Sequence, residues 1–177
     1  MEKISLGAGC FWCIEAVLQR MKGINRVKSG YMGGHVKNPP YREVAMGTTG
    51  HAEVVEVEYD PSIVKIEEIL EVFWNIHDPT TLNRQGYDVG TQYRSAIFYY
   101  TEHQRLVAEE YKMQLDKMEI FENPVVTEIT PAGEFYPAEV EHDNYYNDHP
   151  EQPYCNIIIR PKVEKFNKLY PDKRKEN

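Results

Sequence analysis

The chain has 177 residues, 41% of them hydrophobic and 27% charged, with a formal net charge of −8. That length suits one domain whose core needs neither metal nor disulfide support. The acidic balance argues against a general nucleic-acid binder, which carries a basic face, and no run of about 18 apolar residues is present to cross a membrane. The opening Met1-Glu2-Lys3-Ile4-Ser5-Leu6 runs straight into the first element, so no signal peptide is expected. Three cysteines without an export signal point to reduced thiols and a cytoplasmic setting.

Taken in order, residues 3–8 read as a short buried strand and 12–22 as a helix closed by Lys22-Gly23. Ile24 to Tyr31 is a second strand, ended by Gly33-Gly34. His35 to Gly50 is long and irregular; a loop of that length is usually functional or disordered, and Tyr41 with Arg42-Glu43 favours a functional one. His51 to Tyr59 alternates, with Val55, Val57 and Tyr59 on one side and Glu56 and Glu58 on the other, as a half-buried strand does. After Asp60-Pro61-Ser62 an amphipathic helix follows (Ile63, Ile66, Ile69, Leu70, Phe73, Trp74) and stops at His77-Asp78-Pro79.

Thr80 to Tyr93 is a second polar loop, Ser95 to Tyr100 a strand, 102–119 a charged helix and Val125 to Thr130 a further strand. The order β-α-β-β-α-β, then α-β, predicts an α+β fold: a ferredoxin-like two-layer α/β sandwich. From Pro131 the chain is rich in Pro, Tyr and His without periodicity, which predicts an irregular C-terminal extension. Within it a short helix is expected at 163–170, and a frayed tail from about 171 to 177. One domain covers 1–177.

The stretch with the strongest chemical signal is Leu6-Gly7-Ala8-Gly9-Cys10-Phe11-Trp12-Cys13. Apolar residues, glycines and then a helix-like pattern place Cys10 where a strand hands over to a helix. Unpaired N–H groups there favour an anion, so a lowered thiol pKa is expected. Gly7 and Gly9 allow close approach to the backbone, and Phe11 with Trp12 offers a pocket for a small apolar group. The plainer reading is a buried cysteine on an apolar helix face. Cys10 and Cys13 form a C-x-x-C, but a zinc site lacks its second half, because Cys155 stands alone. A thioredoxin-like exchanger remains open.

Glu53 shares its side of a strand with Val55 and Val57, so an inward carboxyl is expected, kept protonated by desolvation and suited to general acid work. An edge strand with Glu53 in solvent is the alternative. Tyr41 and Tyr93 each stand in a loop near charge, the latter with Asp88. The six histidines show no ligand spacing, and most of them read as surface or capping residues. Cys155 either reaches Cys10 from a mobile stretch or lies inert beside a strand-like Ile157-Ile158-Ile159.

The chain resembles the A-type peptide methionine sulfoxide reductases. The matching blocks are Gly9-Cys10-Phe11-Trp12, Ser29-Gly30-Tyr31, Asn38-Pro39 with Tyr41-Arg42-Glu43-Val44, and Gly50-His51-Ala52-Glu53. Next in order come Phe73-Trp74, His77-Asp78-Pro79, and Arg84-Gln85-Gly86 with Asp88 and Gly90-Thr91-Gln92-Tyr93-Arg94-Ser95. The likeness runs from about residue 5 to 162.

It implies reduction of methionine-S-sulfoxide without metal or organic cofactor. Cys10 would be the nucleophile, Glu53 the proton donor to the sulfoxide oxygen, and Tyr41 and Tyr93 hydrogen-bond donors to that oxygen. Phe11 and Trp12 would hold the S-methyl group, and Asp88 would order the site. The Cys10 sulfenic acid would then form a disulfide with a resolving cysteine, reduced in turn by thioredoxin. The Gln152-Pro153-Tyr154-Cys155 context favours Cys155 as that cysteine over Cys13, which many relatives lack. Within a regular helix the Cys13 sulfur would point away from Cys10 unless the first turn loosens. A relay from Cys155 to Cys13 is also open. A monomer is expected.

Overall fold

The computed structural model describes residues 1–176. Six strands form the main sheet in the order β7-β6-β1-β3-β2-β8. Its centre is β1 (Glu2–Ala8), paired antiparallel with β3 (Ala52–Tyr59) and β6 (Ser95–Tyr99). β2 (Ile24–Met32) pairs antiparallel with β3, placing Tyr31 opposite Glu53. Helices α1 (Phe11–Leu18) and α3 (Ile66–Asn75) make the crossovers, which gives the βαββαβ order of the ferredoxin-like sandwich. The expected α+β fold is the one found.

Two additions extend the four-stranded core. On one edge β7 (Glu128–Pro131), reached through α4 (Glu102–Lys117), runs parallel to β6. On the other, β8 (Tyr136–Pro137) pairs with Gly30 and Tyr31 of β2. Gly30 is required there, because a Cβ would collide with the Phe135 ring and the Tyr136 carbonyl. The helix-covered face holds the main core, including Ile4, Leu6, Val55, Val57, Ile69, Phe73 and Phe166. The opposite face buries a smaller set, Met32, Ala52, Val54, Ala96 and Phe98, beneath Ala132 and Phe135.

Several sequence expectations are corrected. The first helix ends at Leu18, and turns carry the chain to Gly23. The α3 helix starts at Ile66 rather than Ile63: Lys65 N donates to Glu68 Oε2 at 2.8 Å and Glu68 N to the Lys65 carbonyl at 3.0 Å, which closes the first turn. The first long loop contains α2 (Tyr41–Ala45) behind Pro40; the second contains a ribbon of β4 (Arg84–Gln85) and β5 (Asp88–Val89), then a helical turn at Thr91–Tyr93. Residues 125–127 are not strand, since their backbone groups bond to Asp116, Pro79 and Lys112 instead.

The C-terminal extension is more regular than expected. It holds a turn at Val140–His142, α5 (Tyr145–Asp148), and a π-helical turn at Cys155–Ile159 that runs into α6 (Arg160–Leu169). Ile157-Ile158-Ile159 is therefore helical, not strand-like. The tail from 171 is not frayed through Lys175. Lys22 N donates to the Lys173 carbonyl and Lys175 N to that of Arg20, both at 2.7 Å, while Arg174 pairs with Met21. Asn177, the last residue of that expected tail, lies outside the described residues.

Candidate active site

Cys10 is the N-cap of α1, in extended conformation, and Gly9 before it has φ +92°. A Cβ on Gly9 would stand 2.7 Å from Gln85 Cγ, so glycine serves both the turn and the close pass of the β4–β5 ribbon. Glu53 points inward, 1% exposed. Its Oε1 accepts from the Phe11 backbone N–H at 3.1 Å, directly after Cys10, while Oε2 is buried without a hydrogen-bond partner. Burial pushes the Glu53 pKa up to about 8, with the charges of Asp88 and Cys13 adding and the Phe11 N–H opposing. At neutral pH this carboxyl holds its proton.

Two phenols share that environment. Burial first, then the charge of Glu53, raises the Tyr41 pKa to about 12 and that of Tyr93 higher still, so both are donors. Tyr41 opens α2, where its N–H bonds to Glu139 Oε2 at 3.0 Å. Phe11 is fully buried, its ring centroid 5.7 Å from Tyr31 and 6.3 Å from Tyr41. It backs the site, and Trp12, only partly buried, presents the accessible apolar surface.

A lowered Cys10 pKa is not what the structure has. Burial holds Cys10 well above the ordinary thiol value, reinforced by Cys13 and Glu53 and opposed by the Trp12 backbone N–H. Cys13 is lowered, chiefly by a hydrogen bond from Cys10. The expectation that the Cys13 sulfur points away from Cys10 is also corrected, since both thiols line one cavity of about 330 Å³. Gln85, Asp88, Tyr154 and Lys162 complete its wall. Asp88 accepts from Tyr154 Oη at 2.7 Å, and that hydroxyl lies 3.9 Å from Cys13 Sγ. Of the two placements open for Cys155, the structure has the buried one: it is fully buried and does not line the cavity. The Cys13 charge still reaches it and raises its pKa, after burial.

Sequence reasoning missed the wall that the C-terminal extension builds around Trp12. Trp12 Nε1 donates to His142 Nδ1 at 3.1 Å, and Tyr145 stacks on the indole with centroids 3.8 Å apart. Glu15 of α1 accepts from the Asn144 and Tyr145 backbone N–H groups at 3.1 and 3.3 Å, which ties this strap down. The only signal was the density of Tyr and His after Pro131. Half of the six histidines, His51, His77 and His142, are buried rather than on the surface. His77 donates to the Phe73 carbonyl and accepts from Ser95, and burial drops its pKa to about 3. Among the described residues no group of three or more His, Cys, Asp or Glu is placed to hold a metal ion.

A cysteine at a helix start, a neutral carboxyl bonded to the next N–H, and two phenols beside an aromatic wall define a class: thiol chemistry on a small group that accepts a proton. Comparison with known proteins gives the particular family. Residues 2–174 match the family described as peptide methionine sulfoxide reductase. Peptide methionine sulfoxide reductase MsrA of Saccharolobus solfataricus is 56% identical over 175 residues, covering 99% of this chain and 98% of its own. That of Chromobacterium violaceum is 52% identical over 170 residues, covering 96% and 97%. Reduced Mxr1 of Saccharomyces cerevisiae superposes with TM-score 0.77 at 33% identity, over 87% of this chain and 88% of that one. Methionine sulfoxide reductase A of Corynebacterium diphtheriae does so with TM-score 0.73 at 37% identity, over 85% and 76%. The chain belongs to the peptide methionine sulfoxide reductase family.

Proposed function

We propose that this protein reduces methionine-S-sulfoxide in peptides and proteins to methionine through a Cys10 sulfenic acid. The observation that carries this is Glu53: a buried, neutral carboxyl bonded to the N–H that follows the reactive cysteine. The Cys10 sulfur attacks the sulfoxide sulfur while Glu53 gives its proton to the oxygen, and Tyr41 and Tyr93 donate to that same oxygen. The transient sulfur–sulfur bond and the substrate's sulfur–oxygen bond break as the oxygen passes to Cys10. The Cys10 thiol proton restores the Glu53 carboxyl, methionine leaves, and Cys10 is left as –SOH. Because burial disfavours a standing Cys10 thiolate, attack depends on proton delivery to the oxygen. Trp12 holds the S-methyl group and Asp88 orders Tyr154.

The sulfenic acid condenses with Cys13, which lines the same cavity, ahead of Cys155, which lies buried behind it. This reverses the preference for Cys155 drawn from its sequence context; Cys155 then exchanges with the Cys10–Cys13 disulfide as a second step. Thioredoxin or another dithiol reduces the product disulfide. Support comes from a relative, Mxr1 of Saccharomyces cerevisiae, solved in complex with Trx2 and similar to this chain with TM-score 0.53 at 26% identity. Three free cysteines fit a reducing cytoplasm, and among the described residues no helix is long and apolar enough to cross a membrane. The working unit is a monomer without metal or organic cofactor.

The test is a single turnover. Reduced enzyme, freed of reductant, meets excess peptide carrying S-methionine sulfoxide, and product methionine and remaining thiols are counted. One methionine per chain with two thiols lost is expected; no methionine with all thiols intact overturns the reading. Cys13→Ser and Cys155→Ser then identify the resolving thiol. The adjacency of Cys10 and Cys13 also favours a second reading, a general dithiol–disulfide exchanger. That reading predicts that Glu53→Gln leaves activity intact.

A further inference from the structure

Lys162 of α6 is half-buried and lines the cavity that holds Cys10 and Cys13. Among the described residues no salt bridge or hydrogen bond engages its ammonium group, although acidic residues outnumber basic ones 28 to 20. Lys162 lines this cavity and also the neighbouring one beside Asp78 and Glu122, and it forms an ion pair with neither carboxylate. An unpaired cation in such a place interacts with whatever anion forms there, and the anions available are thiolates.

We infer that Lys162 is a positioning residue for the second half of the reaction, holding Cys13 as the thiolate that attacks the Cys10 sulfenic acid. The inference rests on the proposed reading of Cys13. The groups that face Cys13 come from its own helix and three other elements. Cys10 stands at the α1 N-cap, Glu53 on β3, Asp88 on the ribbon, and Tyr154 and Cys155 on the turn before α6. Glu53 is neutral, Asp88 opposes a negative charge on Cys13, Cys10 favours it through a hydrogen bond, and the one proton of Tyr154 is committed to Asp88. Lys162 is the one cation facing it among the described residues, and its charge lowers the Cys13 pKa while Asp88 raises it. In the step it serves, the Cys13 sulfur bonds to the Cys10 sulfur and the Cys10 S–O bond breaks. The sulfenic sulfur is reduced, Cys13 is oxidised, and the oxygen leaves as water with its own proton and the one Cys13 gave up on ionising.

The experiment follows methionine release and thiol loss separately in single turnovers from pH 5.5 to 9, with dimedone trapping of Cys10–SOH, in wild type, Lys162→Met and Lys162→Arg. With Lys162→Met, thiol loss is expected to slow about tenfold relative to methionine release at pH 7, which is one unit of thiol pKa. Dimedone adduct should accumulate, and the pH midpoint of thiol loss should rise. Lys162→Arg keeps the charge and should restore both. If Cys13→Ser stops thiol loss but Lys162→Met follows the wild-type pH profile, the inference is overturned while the Cys13 reading stands. If Cys13→Ser still loses two thiols at the wild-type rate, the Cys13 reading fails and this inference falls with it.

Discussion

The Trp12 indole and the Tyr145 ring stack with centroids 3.8 Å apart and planes 7° from parallel, although one belongs to the first helix and the other to the C-terminal extension. This stack, with the Trp12 Nε1 bond to His142, sets the angle at which the indole faces the site. Tyr145→Ala should raise the KM for a sulfoxide peptide about fivefold, in line with the roughly 1 kcal/mol of an aromatic pair. Single-turnover chemistry at saturation should change less. Steady-state kinetics with a titrated peptide checks both.

Glu53 sets the pH dependence of the first chemical step. Its pKa is raised to about 8, and the protonated form is the active one. Methionine release should be flat below that value and fall as pH rises through it. Glu53→Gln should remove this limb and cost about 10² to 10⁴ in rate, the usual range for a general acid.

The same raised pKa has a consequence for stability. The folded state binds the Glu53 proton more tightly than the unfolded chain does. Its contribution is complete below the unfolded value near 4.5 and is lost as pH rises through about 8. Thermal melts between pH 5 and 9 should show Glu53→Gln losing less Tm on the alkaline side than wild type.

Glu15 is buried, and the two N–H groups it accepts open α5. Burial lifts its pKa to about 7, and those N–H groups oppose the rise. Glu15→Ala leaves two donors without their acceptor and should cost about 1–3 kcal/mol in urea unfolding. Glu15→Gln keeps an acceptor oxygen and should recover most of that loss. Because Tyr145 follows Asn144 directly, the alanine variant should also raise KM.

The last residues hold the end of α1 through backbone bonds from Lys22 to Lys173 and from Lys175 to Arg20. Lys173 adds an ion pair with Glu68 at 3.0 Å. Deleting 171–177 should lower stability by about 2 kcal/mol, from two net backbone bonds, and lower Tm measurably. Since none of the described residues from 171 onward lines the cavity, kcat should stay near wild type.

The sequence by itself determined the sandwich order and the first half of the candidate site. Alternation over His51–Tyr59, the Ile66–Trp74 periodicity and the glycines before Cys10 are local signals, and local signals survive in a linear reading. Glu53 was legible for the same reason: strand parity alone turns it toward Val55 and Val57. What only the tertiary structure decided comes from contacts between distant segments. His142, Tyr145, Tyr154 and Lys162 sit in a stretch without periodicity, and nothing local shows that they close on Trp12 and Cys13. The thiol pKa order is decided the same way. A helix start lowers a cysteine when water surrounds it, but burial of Cys10 outweighs that, and burial is a property of the whole fold.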